Sequence, residues 1–176
     1  MLQIKLHEAV NIMRSSKLTL PVQITGLLLW LGLCYLVAWS GALVSPGIAS
    51  PEWYESLNKP DWNPPAWLFG PVWTTLYTMM GIAAWLIWKD YGFKHARVEL
   101  IAFFVQLALN GLWSQIFFNF QNIGLALVEI LFLLVAIFVT TYLFYQKNRA
   151  AAWLMVPYIL WVSFATALTA AIWVLN

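Results

Sequence analysis

The sequence predicts an all-α integral membrane protein, a five transmembrane helix bundle with a long Pro/Trp-rich first loop. Three observations predict it. The chain is 62% hydrophobic and only 9% charged, with a mean hydropathy of +0.76; a soluble domain carries about 25% charged residues to cover its water-facing surface. Five apolar runs are long enough to cross a bilayer, which takes about 20 residues at 1.5 Å each. One interval between them, residues 45–66, holds Pro46, Pro51, Pro60, Pro64 and Pro65, five of the eight prolines.

The predicted spans are about 20–44, 67–88, 98–119, 123–146 and 151–175. The first follows Lys5, Arg14 and Lys17, but its apolar run exceeds the 7–15 residues of a signal-peptide core, so it reads as a retained helix. Upstream, Leu2, Leu6, Val10 and Met13 fall at helical spacing, which suits a surface amphipathic helix as well as a tail. Proline fixes φ and pushes its predecessor toward extended geometry, so interval 45–66 is expected to be stiff and non-helical. The whole chain, 1–176, reads as a single membrane domain. No inverted repeat of the transporter kind is visible.

Orientation follows the basic residues. Lys5, Arg14, Lys17, Lys89, Lys94, Arg97, Lys147 and Arg149 lie on one side, and only Lys59 on the other. The positive-inside rule makes the N-terminus cytoplasmic, with loop 45–66 and the C-terminus on the outer side of the cell membrane.

Several function classes are excluded or weakened. A net charge of +2 without a basic run gives no footprint for nucleic acid. Cys34 is the only cysteine and His7 and His95 the only histidines, so neither a disulfide nor a protein-built metal site is expected. No nucleophile–base pair, phosphate loop or paired carboxylate is visible, so no classical catalytic constellation and no cofactor is expected.

Twelve tryptophans remain to be explained. An interfacial belt accounts for Trp62, Trp67, Trp88, Trp153 and Trp173, near segment ends. It does not account for Trp73 and Trp113, about 9 Å deep by helical rise, or for Trp161, about 20 Å deep. Rings at that depth either pack helices or wall a pocket for a flat apolar ligand. Gln106, Asn110, Trp113, Ser114 and Phe117 recur at i, i+4, i+7, i+8 and i+11, one helix face that must turn inward because bare amides in hydrocarbon are costly. Interhelical hydrogen bonding and a polar-dotted cavity both suit that face. Glu129 is the one carboxylate well inside a segment, about 9 Å from its outer end. It suits a helix-to-helix hydrogen bond or a functional role.

Residues 53–77 read WYESLNKPDWNPPAWLFGPVWTTLY. This stretch resembles the signature of the TspO/MBR family: Trp53, Tyr54, Leu57, Lys59, Pro60, Trp62, Pro64, Pro65 and Trp67, then Val72, Trp73, Leu76 and Tyr77. The blocks WKDYG at 88–92, QLALNGLWSQIFF at 106–118 and PYILWVSFATAL at 157–168 are similar in order and spacing. The resemblance implies five helices, usually as a homodimer, with a pocket in the upper bundle under the long first loop. Its expected ligands are flat and apolar: porphyrins and other tetrapyrroles such as protoporphyrin IX, and benzodiazepine-type compounds.

By matched position the resemblance implies a ligand site of Ala42, Tyr54, Phe69, Trp73, Asn110, Trp113, Trp161, Ala165 and Leu168. Trp73 and Trp161 match the residues implicated in light- and oxygen-dependent porphyrin breakdown by some bacterial relatives. The porphyrin would then be ligand or substrate, not a resident cofactor. Three departures stand out. TAAIWVLN at 169–176 lacks the sterol-associated pattern, so the resemblance does not carry cholesterol recognition to this chain. Leu125 replaces a tryptophan at the start of the fourth span. Ile101 and Val105 replace the small pair that helps some members dimerise. Besides a receptor or sensor, a porphyrin transporter and a regulatory scaffold acting through partners are the competing readings.

Overall fold

A computed structural model describes residues 18–45 and 51–176. The expectation for residues 1–17, helix or tail, falls outside the described residues, as do positions 46–50 of the first loop. Among the described residues the chain is helical and contains no strand. Helix α1 spans Leu20–Ala42, α2 Pro51–Ser56, α3 Phe69–His95, α4 Arg97–Ser114, α5 Ile123–Lys147 and α6 Arg149–Leu175. A 3₁₀ turn, Ala66–Leu68, leads into α3, and α4 continues as a π-helical turn over Gln115–Asn119.

Four of these segments are long and apolar enough to cross a membrane: Leu20–Ala42, Arg97–Asn119, Ile123–Lys147 and Arg149–Leu175. Helix α3 is not among them, because tryptophan, tyrosine, threonine and glycine dilute its hydropathy and Lys89 and Asp90 charge its last turns. The helices nevertheless close a ring: α1 lies against α3, α3 against α6, α6 against α5, α5 against α4, and α4 against α1. Met80, Ala83, Ala84 and Ile87 of α3 are fully buried, so α3 is interior to the packing rather than appended to it.

Helix α5 shows why these elements belong in lipid. Ala126, Ile130, Leu133, Ile137 and Phe144 face inward, while Leu125, Val128, Phe132, Val135, Val139 and Tyr142 are exposed. Both faces are apolar, a pattern that in water would have no hydrated side. With hydrocarbon on the outside, the helices are held by close packing and interior hydrogen bonds rather than by burial from water.

Close packing is visible at Gly26 of α1. A Cβ there would collide with ring carbon Cζ3 of Trp88 on α3. Gly26→Val is therefore expected to cost about 1–3 kcal/mol of stability, the usual cost of overpacking. Thermal unfolding in detergent measures it, and Trp88→Leu in the same chain should restore most of the loss.

Two expectations need correction. Interval 45–66 is not wholly non-helical, because Pro51–Ser56 forms a helical turn. Pro51 occupies its first position, where a missing N–H costs nothing and the fixed φ already suits a helix. The second long helix runs to His95, not to about 88. The charges of Lys89 and Asp90 do not stop a helix. Gly92 breaks the regular path at φ 62°, and Ala96 ends the helix.

Candidate functional site

Two of the three deep tryptophans meet. Trp73 on α3 and Trp161 on α6 stand edge to face, with ring centroids 6.5 Å apart at 87°. Phe69, one turn earlier on α3, packs edge-on against Trp161 at 5.8 Å. Trp73 also meets Tyr77 at 5.5 Å and Tyr158 at 6.3 Å. Edge-to-face pairs at 4.5–7 Å are the favourable arrangement for rings that carry a quadrupole. This group sits where α3 and α6 pack together, half-buried and continuous with the main core.

Beneath the rings lies a polar chain. Tyr77 donates its hydroxyl to Asn110 Oδ1, and Asn110 Nδ2 donates to the Tyr158 hydroxyl at 2.7 Å. All three side chains are buried. The inward amide face anticipated on the third span thus takes the hydrogen-bonding role at Asn110, linking α3, α4 and α6. One turn below, Gln106 is fully buried with neither amide atom partnered among the described residues. Trp113 Nε1 and both carboxylate oxygens of Glu129 are also buried and unpartnered there. Such groups are uncommon in folded proteins.

A second aromatic group builds on the π-turn after Ser114. Trp113 stacks on Phe117 at 5.0 Å, and Phe118 meets both rings edge-on. The wide turn brings neighbouring Phe117 and Phe118 to the same group, and π-turns recur at functional sites. The short helix α2 lies over it. Trp53 and Tyr54 contact Phe117 at 5.6 and 6.3 Å, and Tyr54 contacts Phe118 at 5.8 Å. Leu168 of α6 belongs to the same cluster.

The segment after α2 is pinned in place. Asn58 N donates to Asn176 Oδ1 at 3.0 Å, and Asn176 Nδ2 donates back to Asn58 O at 3.0 Å. Lys59 folds over the Tyr54 ring at 4.6 Å while donating to Leu57 O. Burial raises the Tyr54 phenol above its ordinary value, and its hydrogen bond to Asn63 pulls in the opposite direction. Trp62 rests on Phe164 of α6 at 5.7 Å. Trp67, Trp153 and Trp173 are exposed, as interfacial rings are.

The residues carried over by resemblance therefore fall into two touching groups. Phe69, Trp73, Trp161 and, through the core, Asn110 and Ala165 form the first; Tyr54, Trp113 and Leu168 form the second. Ala42 stands apart as the exposed last residue of α1, although its neighbour Gly41 lies against the Ser114 hydroxyl. Tyr77, Tyr158, Trp53, Phe118 and Phe164 were not anticipated as site residues, and Phe117 only as part of the inward face of the third span. A signal for two of them existed: Tyr77 follows Trp73 by four residues and Tyr158 precedes Trp161 by three, the spacings that share a helix face.

The helices and the aromatic constellation define a multi-pass membrane protein whose interior is organised by tryptophan and tyrosine. The chain belongs to the TspO/MBR family, whose model matches residues 30–174. It is 44% identical to the human translocator protein over 124 residues, 69% of this chain and 73% of that one. To the tryptophan-rich protein TspO of Chlorobaculum tepidum it is 42% identical over 155 residues, 88% of this chain and 98% of that one. The tryptophan-rich sensory protein of Cereibacter sphaeroides is 38% identical over 142 residues, 80% of this chain and 85% of its own length.

Proposed function

We propose that the protein is a membrane receptor or sensor that binds tetrapyrroles such as protoporphyrin IX and promotes their light- and oxygen-dependent degradation. The observation that carries the reading is the contact of Phe69, Trp73 and Trp161 above the Tyr77–Asn110–Tyr158 chain. Flat macrocycles are held by ring faces and edges, and a few fixed polar groups orient them. Two indoles 6.5 Å apart can cycle an electron at an excited macrocycle lying against them. The indole reduces it, the macrocycle passes that electron to molecular oxygen as superoxide, and the indole radical takes an electron back from the macrocycle, whose cation combines with the superoxide. The family membership supports the same reading.

The proposal includes the arrangement around the site. α1 and α3–α6 are five spans of one domain, oriented with the basic end in the cytoplasm of the cell, and the described part of the first loop, 51–66, lids the pocket from the outer side. The Asn58–Asn176 pairing holds that lid to the end of α6. Benzodiazepine-type compounds occupy the same ring site, and the native assembly is a homodimer.

Titration of the purified protein in detergent with protoporphyrin IX tests the binding reading. Saturable quenching of tryptophan fluorescence, at about one macrocycle per chain, is expected. Quenching that rises linearly without saturation would reduce the rings to helix packing and favour a scaffold acting through partners.

A further inference from the structure

Away from the aromatic site, the corner between α3 and α4 carries a groove of about 430 Å³ lined by Phe93, Lys94, Arg97, Leu100, Ile101 and Phe104. Its volume lies within the roughly 300–1,000 Å³ of small-molecule sites. The groove is a product of the Gly92 break. With φ at 62°, the chain turns so that the Phe93 ring meets Trp30 at 6.1 Å and Trp88 at 6.3 Å. Phe104, two turns into α4, meets the same Trp30 at 5.5 Å. Trp30 itself is buried. The result is an apolar trough walled by the end of α3 and the first turns of α4, with Phe93, Ile101 and Phe104 still exposed along it.

Two cations stand at its head. Lys94 and Arg97 are exposed and take part in no salt bridge or side-chain hydrogen bond among the described residues. The nearby carboxylates are engaged elsewhere. Glu99 is buried and pairs with Lys147 at 3.8 Å. Asp90 pairs with Lys89 at 3.5 Å and accepts from Asn148 at 3.0 Å. Charge at the head and hydrocarbon below is the division of an anionic amphiphile.

We propose that this groove is a binding site for an anionic phospholipid, with the phosphate held by Lys94 and Arg97 and an acyl chain laid along Ile101 and Phe104. Basic pockets between membrane helices near the interface recognise such headgroups. A small soluble anion would leave the apolar wall unused. A two-fold contact centred here would set Lys94 and Arg97 against their own copies, which disfavours a second chain as occupant. Residues 1–17 carry Lys5, Arg14 and Lys17 against Glu8 alone, so they are repelled by the same cations.

Native mass spectrometry of the full chain, released from micelles with equal phosphatidylglycerol and phosphatidylcholine, tests the site. Phosphatidylglycerol adducts should dominate. The preference should fall about fivefold in Lys94→Gln and about 25-fold when Arg97→Gln is added. Ile101→Trp, which crowds the trough without changing charge, should at least halve the bound phosphatidylglycerol. Lys89→Gln, a cation lost at the same end but outside the groove, should leave the preference intact. Retention in Lys94→Gln, or an equal loss in Lys89→Gln, would overturn the site in favour of general surface electrostatics. Ile101→Trp altering the oligomeric state while sparing the lipid would instead make the groove an interface between copies.

Discussion

Trp73→Phe and Trp161→Phe are each expected to slow light-driven bleaching of bound protoporphyrin by tenfold or more. Both should bind the macrocycle within about fivefold of the parent. The separation follows from what the substitution removes. Phenylalanine keeps an apolar ring in the same place, so most of the contact with a flat ligand survives. One aromatic pair is worth about 0.5–1.5 kcal/mol beyond its area, up to roughly tenfold in Kd. What phenylalanine cannot supply is an easily oxidised indole, and the rate of electron donation to an excited macrocycle falls as the donor's oxidation potential rises.

The two effects should be of similar size, because each indole touches three rings: Trp161 meets Phe69, Trp73 and Phe164, and Trp73 meets Tyr77, Tyr158 and Trp161. Illumination in air, followed by absorbance at the porphyrin Soret band, measures the rate; fluorescence titration measures the affinity. Bleaching at the parental rate in both variants would remove these residues from the photochemistry. A parallel loss of binding in both would make them packing residues of the pocket wall.

The helical membrane class was legible because apolar run length is a property of the chain itself. The four segments long and apolar enough to span agree closely with the expected runs near 20–44, 98–119, 123–146 and 151–175. The end of α3 was less legible, since a lone glycine in a helical run does not by itself announce the positive φ that Gly92 adopts. Trp30 shows the same limit. Nothing in its neighbourhood on α1 signals that Phe93 and Phe104 will meet it, because both come from beyond the Gly92 turn.

Within the aromatic site, Trp73 and Trp161 could be placed by depth along their helices. Tyr77 and Tyr158 could have been placed by face, but a tyrosine in a span is usually read as an interface residue. The proline segment was misjudged at Pro51, where position in a helix decides whether proline breaks or begins it. Lys94 and Arg97 counted only toward orientation in the sequence. Their second property, two cations without a carboxylate partner among the described residues at the head of an apolar trough, exists only in the folded corner.

Asn110 is where stability and the proposed binding are most closely joined, and Asn110→Ala is expected to be the most destabilising single change to the site. Its side-chain oxygen accepts from Tyr77 and its amide donates to Tyr158, so truncation leaves two buried phenols without that partner. An orphaned buried polar group costs about 1–3 kcal/mol in water-soluble proteins. Within a membrane the range is about 0.6–2 kcal/mol per bond. A loss of about 2 kcal/mol in equilibrium unfolding from mixed detergent–SDS micelles is therefore expected. Tyr77→Phe or Tyr158→Phe, each removing one bond while leaving Asn110 the other, should cost about 1 kcal/mol. The double phenylalanine variant then isolates the amide. If Asn110 only ties α3, α4 and α6 together, the double variant should match Asn110→Ala in both stability and protoporphyrin affinity. If the amide also orients the ligand, Asn110→Ala should bind about fivefold more weakly than the double variant at equal stability, the worth of one hydrogen bond. Unchanged stability in Asn110→Ala would mean that the three-helix polar chain does not form in the membrane, and the site would have to be rebuilt from its rings alone.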